Sequence, residues 1–151
     1  MTAPLTVRSL DHLVLTVKSI PDSVDFYTTH LGIRHEVFTS PVNPKVEGGL
    51  RSHKQTNRHA LLFGTQKINL HESGREFEPK ARNVTPGSAD LCFLIDADVE
   101  KALEHFHTSG IEVLEGGKVV ERTGAVGKIR SVYVRDPDGN LIELLVASNA
   151  G

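Results

Sequence analysis

The feature that most constrains this chain is that it runs through one pattern twice. Twenty positions separate His12 from Gly32, and twenty separate Asp90 from Gly110. Within the first interval LDHLVLTV reads as a strand and SIPDSVDFYTTHLG as a helix. Pro21 suits a first helical turn, Asp22 and Asp25 its positive end, and Gly32 its stop. Ile20, Val24, Tyr27 and Leu31 recur at helical spacing as one apolar stripe. The second interval repeats this as the strand ADLCFLID and the helix DADVEKALEHFHTSG, with the stripe Val99, Leu103 and Phe106. An isoleucine follows each stop, Ile33 and Ile111, opening the expected strands Ile33 to Phe38 and IEVLEG. Each half then ends in two further strands. RHALLFG and KINLHE meet across Gly64-Thr65-Gln66, and IRSVYV and NLIELL flank the turn DPDG.

Internal repetition of this kind predicts two β-α-β-β-β modules, an α+β fold with a curved mixed sheet and the helices outside. The expected boundaries are a single domain over 8–148, with module one at about 8–72 and module two at about 87–148. An inserted loop, 40–59, has no counterpart in the second half. Its Pro, Gly, Asn and Ser fit either a surface insertion or a lid over a site.

Composition narrows the function classes. With 151 residues, 38% of them hydrophobic, the chain can bury one core. A net charge of −2 provides no basic field for nucleic acid. No apolar run approaches the roughly 20 residues of a membrane span, and no export signal is read at the N-terminus. Cys92 is the only cysteine; it reads as a core residue and fits a reducing, cytoplasmic setting.

Side chains of a strand alternate between two faces, and that alternation isolates the chemistry. Leu13, Leu15 and Val17 form one row, Leu91, Phe93 and Ile95 another, Ile68 and Leu70 a third, Ile142 and Leu144 a fourth. All four rows are apolar. Each opposite row carries one group able to bind a metal: His12, Asp90, His71 and Glu143. The repeat pairs His12 with Asp90 and His71 with Glu143. Imidazoles and carboxylates converging about a pseudo-symmetry axis describe a divalent-metal site, which also offsets the cost of burying them. Taken singly, each has a plainer reading: a half-exposed histidine, a solvent-facing edge, the end of a loop. As a set in equivalent positions, His12, His71 and Glu143 read as ligands, with Asp90 an additional candidate.

LDHLVLTV, FYTTHLGI, KINLHE, PGSADLCFLI and RDPDGNLIELL, spread over residues 10–146, resemble the vicinal oxygen chelate superfamily. That group includes glyoxalase I, fosfomycin-resistance and bleomycin-binding proteins, methylmalonyl-CoA epimerase and extradiol dioxygenases. More narrowly, KINLHESGREFEPKA, PGSADLCFLI and ERTGAVGKI are similar to glyoxalase-domain-containing proteins akin to lactoylglutathione lyase. The resemblance implies a cup-shaped sheet whose inner face holds a divalent metal ion (Zn, Ni, Mn or Fe) that chelates two neighbouring substrate oxygens. His12 matches the first-strand ligand and Glu143 the last-strand ligand. His71 stands where glyoxalases usually have Glu, and Asp90 where they usually have His. The implied activity is a metal-dependent lyase or isomerase acting on a small oxygenated substrate, with Glu143 as proton-transfer base. Ring-cleaving dioxygenase chemistry and non-catalytic small-molecule binding are the alternatives. Arg75, Lys80 and Arg122 are candidates for a substrate anion or are simply solvated, and Tyr133 lines either the cup or the core. A homodimer is the expected assembly.

Overall fold

In the computed structural model, which describes residues 1–39 and 57–147, the first strand is β1 (His12–Val17). The chain turns at once into α1 (Ile20–Leu31) because Ser19 caps it: the Asp22 N–H donates to Ser19 Oγ at 3.2 Å. Gly32 ends α1 at φ +65°, a left-handed conformation that glycine adopts at little cost, and the Ile33 N–H returns to the Tyr27 carbonyl at 3.1 Å. Then follow β2 (Arg34–Thr39), β3 (Asn57–Phe63) and β4 (Gln66–Glu72). The second half supplies β5 (Asp90–Leu94), α2 (Val99–Thr108), a four-residue turn α3 (Leu114–Gly117), β6 (Val120–Gly124), β7 (Gly127–Arg135) and β8 (Leu141–Ala147).

Both halves use one strand order, β1-β4-β3-β2 and β5-β8-β7-β6. In each sheet the first strand runs parallel to the last and the other pairings are antiparallel. The fold is therefore the expected α+β architecture of two β-α-β-β-β units with curved mixed sheets. The four apolar rows face the helices and enter one core with Phe26, Tyr27 and Phe106.

Three local expectations need correction. IEVLEG is not a strand: Glu115, Gly116 and Gly117 take φ +55°, +80° and +71°, a run that cannot continue an extended chain. The strand equivalent to β2 comes later, as β6, where Val120 pairs with Ser131. The inserted loop ends sooner than 59, since β3 begins at Asn57 and His59 pairs with Val37; its residues 40–56 lie outside those described. The buried face of α1 is Ser23, Phe26 and Tyr27, with Ile20, Val24 and Leu31 only partly covered.

The halves meet on the helix side. Tyr27 Oη on α1 donates to Asp136 Oδ2 in the β7–β8 turn at 2.7 Å, and the Lys18 N–H donates to Asp138 at 3.2 Å. His30 on α1 lies 3.0 Å from His105 on α2, and the Phe63 and Phe93 rings meet edge-to-face at 5.3 Å. The face of each sheet away from the helices stays open. Val14 on β1 is 46% exposed there and Leu94 on β5 is 76% exposed.

Candidate functional site

On the open face of the second sheet, β8 is central and carries Glu143 between Cys92 of β5 and Tyr133 of β7, which pair with it on either side. Ser131, one position of the same row along β7, donates from Oγ to Glu143 Oε2 at 2.6 Å. The carboxylate is thus oriented by the Ser131 hydroxyl, with Tyr133 and Cys92 as its cross-strand neighbours. Burial pushes the Cys92 thiol up to about 11, and the Glu143 charge adds to the shift. Burial raises the Tyr133 phenol too, again reinforced by Glu143. Arg122 places its guanidinium carbon 5.6 Å from the Tyr133 ring centroid, while also pairing with Glu115 at 3.6 Å. Tyr133, Arg122 and Glu143 therefore share one face.

On the open face of the first sheet, His12 is exposed, and its Nδ1 lies 2.7 Å from the Asp11 carboxylate. With Nδ1 held by that carboxylate, Nε2 is the ring nitrogen left to coordinate, an arrangement common among metal-ligating histidines. The same contact holds the Asp11 carboxyl below its ordinary value.

The parallel register decides how the expected ligands relate. His12 pairs with Lys67, Val14 with Asn69 and Thr16 with His71. His71 is therefore four strand positions from the His12 row, about 13 Å at the usual rise. In the second sheet Asp90 pairs with Leu141 and Cys92 with Glu143. The position equivalent to Glu143 is thus Asn69, not His71. The expected pairing of His71 with Glu143 slips by two residues because both readings put a polar group on the correct face. His71 is buried, packed edge-on against Phe77 with ring centroids 5.2 Å apart. Burial, and then the Arg58 charge, lower its imidazole below the ordinary value. Asp90 is exposed at the start of β5, on the Glu143 face. Among the described residues of one chain, no three His, Cys, Asp or Glu side chains come together as a metal site.

Of the anion candidates, Lys80 pairs with Glu76 and Glu78, each at 3.6 Å, and Arg75 lies 4.0 Å from Glu72. Cys92 is a correction: it is exposed beside Glu143, because the two-residue alternation puts it on the open face with Asp90. Asp11, Ser131 and Asn69 went unread in the sequence. The period of two links Ser131 to Tyr133, and counting back from the β3–β4 hairpin would have placed Asn69 beside Val14.

Comparison with known proteins agrees with this geometry. Residues 9–144 match the family model described as Glyoxalase/Bleomycin resistance protein/Dioxygenase superfamily. The glyoxalase domain-containing protein RDO1 of Mycosarcoma maydis is 50% identical over 140 residues, covering 93% of this chain and 69% of that protein. Virulence protein STM3117 of Salmonella typhimurium is 45% identical, covering 93% of this chain and 85% of its own length. A solved structure from the mobile metagenome of V. pseudocholerae, VPC_CASS1, superposes with a TM-score of 0.80 at 48% identity, covering 96% of this chain and 98% of the other. A repeated β-α-β-β-β unit, open sheet faces bearing His12 and Glu143, and a family match over nearly the whole length converge on one conclusion: the chain belongs to the glyoxalase/bleomycin resistance protein/dioxygenase superfamily.

Proposed function

We propose that this protein is a divalent-metal-dependent lyase or isomerase of the glyoxalase type, acting on a small oxygenated substrate, and that it works as a homodimer. The observation that carries the reading is the state of its two principal ligands. His12 is held through Nδ1 by Asp11, leaving Nε2 to coordinate, and Glu143 is held through Oε2 by Ser131. A carboxylate fixing the far nitrogen of a histidine is the usual support of a metal ligand, so these residues fit a divalent ion. Asp90 is the third candidate, exposed on the Glu143 face.

His12 and Glu143 stand on different sheets whose mutual contacts lie on the helix side, so a second copy offers the simplest way to bring the two faces together. The exposed apolar side chains Val14 and Leu94, on those same faces, support that pairing. A bound divalent ion supplies Lewis acidity toward a carbonyl or enediolate oxygen. Glu143 then takes and returns a proton at its carboxylate, positioned by Ser131, while Tyr133 and Arg122 border the substrate. Lys80, tied to two glutamates, stays at the periphery.

Protein purified without chelator should carry one divalent ion per His12–Glu143 pairing, measured by elemental analysis. His12→Ala and Glu143→Ala should each lose most of it, because two remaining ligands hold a metal weakly. Asp90→Asn should lose it as well and His71→Ala should keep it; the reverse outcome for that pair would return His71 to the ligand set. Solvent-deuterium exchange into hemithioacetal substrates tests the reaction type, and oxygen uptake in its place would point to ring cleavage.

A further inference from the structure

Three polar atoms on the open face of the first sheet are buried without a hydrogen-bond partner: Arg58 Nε, Asn69 Oδ1 and His71 Nδ1. An unpaired buried donor or acceptor costs about 1–3 kcal/mol, so folded proteins seldom leave one, and three on one patch call for an occupant. Register makes them neighbours. Ala60 pairs with Asn69 and His59 with Leu70, which sets Arg58 beside His71 across the β3–β4 ladder. Phe77 closes one side of the patch. The Arg58 guanidinium carbon lies 4.1 Å from its ring centroid, and the His71 ring packs edge-on against it.

The charge count at this patch is incomplete. Glu72, Glu76 and Glu78 are engaged by Arg75 and Lys80, and among the described residues no carboxylate lies within ion-pair distance of Arg58. A half-buried guanidinium stacked on an aromatic ring is weakly hydrated and well suited to receive an oxyanion. Asn69 Oδ1 needs a donor, which a bare carboxylate lacks and a hydroxyl provides. From Arg58 Nε and Asn69 Oδ1, with His71 lining the patch beside them, we infer that the patch is the acid-recognition end of the substrate site, binding a small hydroxycarboxylate whose carboxylate accepts from Arg58 Nε–H and whose hydroxyl donates to Asn69 Oδ1. This rests on the reading above only in taking the bound molecule as the substrate. Asn69 pairs with Val14, two positions from His12 on one strand. The hydroxyl would therefore sit about 7 Å along the sheet from the His12 row, and the carboxylate, at the level of Arg58 and His71, about 13 Å from it.

The test uses full-length protein kept metal-free with chelator, so that its result does not depend on the metal reading. The probes are lactate, propionate, lactamide and inorganic phosphate, titrated while the Arg58 Nε–H resonance is followed by NMR; Arg58→Gln assigns that resonance by its disappearance. Lactate should shift it saturably and bind at least about tenfold more tightly than lactamide, as expected for a charge-assisted hydrogen bond. Arg58→Gln, followed through the His71 ring signals, should weaken lactate by about tenfold or more, and Arg58→Lys by less. Asn69→Ala should bring lactate down to the affinity of propionate, while Arg130→Gln, at a guanidinium paired with Glu100 and Glu121 in the second module, should change nothing. Equal binding of lactate and lactamide, tighter binding of phosphate than lactate, undiminished lactate binding by folded Arg58→Gln, or no saturable shift would each overturn the inference. Lactate binding by protein that never retains metal would sink the metal reading alone.

Discussion

Cys92 joins an open position to a thiol that resists ionisation. Burial beside Glu143 puts it at about 11, so at pH 8 only about one molecule in a thousand carries the reactive thiolate. Iodoacetamide should therefore modify metal-free protein on the order of a hundredfold more slowly than an ordinary cysteine. Glu143→Gln should speed the reaction by removing the secondary, electrostatic part of the shift; an unchanged rate would leave burial as the whole cause. Tyr27 is a second case of a group fixed by one neighbour. It is fully buried, and its hydroxyl reaches Asp136, which also accepts from Asn140 Nδ2 at 2.7 Å. Burial, then the Asp136 charge, raises the phenol far above its ordinary value, so it donates at every working pH. Tyr27→Phe keeps the ring and removes that one bond. Denaturant titration should show a loss of about 1–3 kcal/mol.

Elements in this chain are set by short local signals, and two glycines let their costs be compared. Gly110 follows α2 at φ +72° with open space where a Cβ would stand, whereas Gly87, at φ +85°, would drive a Cβ into the Asp138 carbonyl oxygen. Gly110→Ala should cost about 1–2 kcal/mol for the left-handed backbone alone. Gly87→Ala carries that cost and an overpacking term of about 1–3 kcal/mol, so its thermal midpoint should fall clearly further. Equal midpoints would mean that the approach to the DPDG turn yields easily. The Asp138 and Asn140 N–H groups donate to Asp136 Oδ1, and Asn140 Oδ1 accepts from the Ala89 N–H, so the buried side chains of Asp136 and Asn140 fasten β8, the start of β5 and α1 together.

For the whole molecule the open faces matter most. Leu94 is 76% exposed and Val14 46%, and both stand on the faces that bear the proposed ligands. Burying a leucine against a partner contributes about 1.5–3 kcal/mol, so Leu94→Asp should weaken the dimer by about tenfold or more in sedimentation. The same variant should lose metal in step, because in the proposed assembly the ligands come from two copies. Metal-bound wild type should melt at a temperature that rises with protein concentration, and chelation should lower it, since ligand bound only to the folded state adds RT ln(1 + [L]/Kd). A concentration-independent midpoint with full metal would place the whole site within one chain.

Local physics made much of this legible from residues alone. Ser19, Pro21 and Gly32 bound α1, the alternation of Leu13, Leu15 and Val17 assigns the faces of β1, and repetition of that plan gives two modules with one strand order. Each depends on neighbours a few positions away, where side-chain chemistry acts directly on the backbone. The alternation also chose the face that carries His12, Asp90, Asn69, His71 and Glu143. It could not choose the register, because a shift of two residues leaves every side chain on the same face, and so His71 was matched where Asn69 stands. Nor could it tell that Gly116 and Gly117 would turn the chain before β6, or that Phe77, from a loop far from Arg58 in sequence, would cover His71. Those outcomes follow from pairing between strands and packing across the sheet, which only the tertiary structure decides.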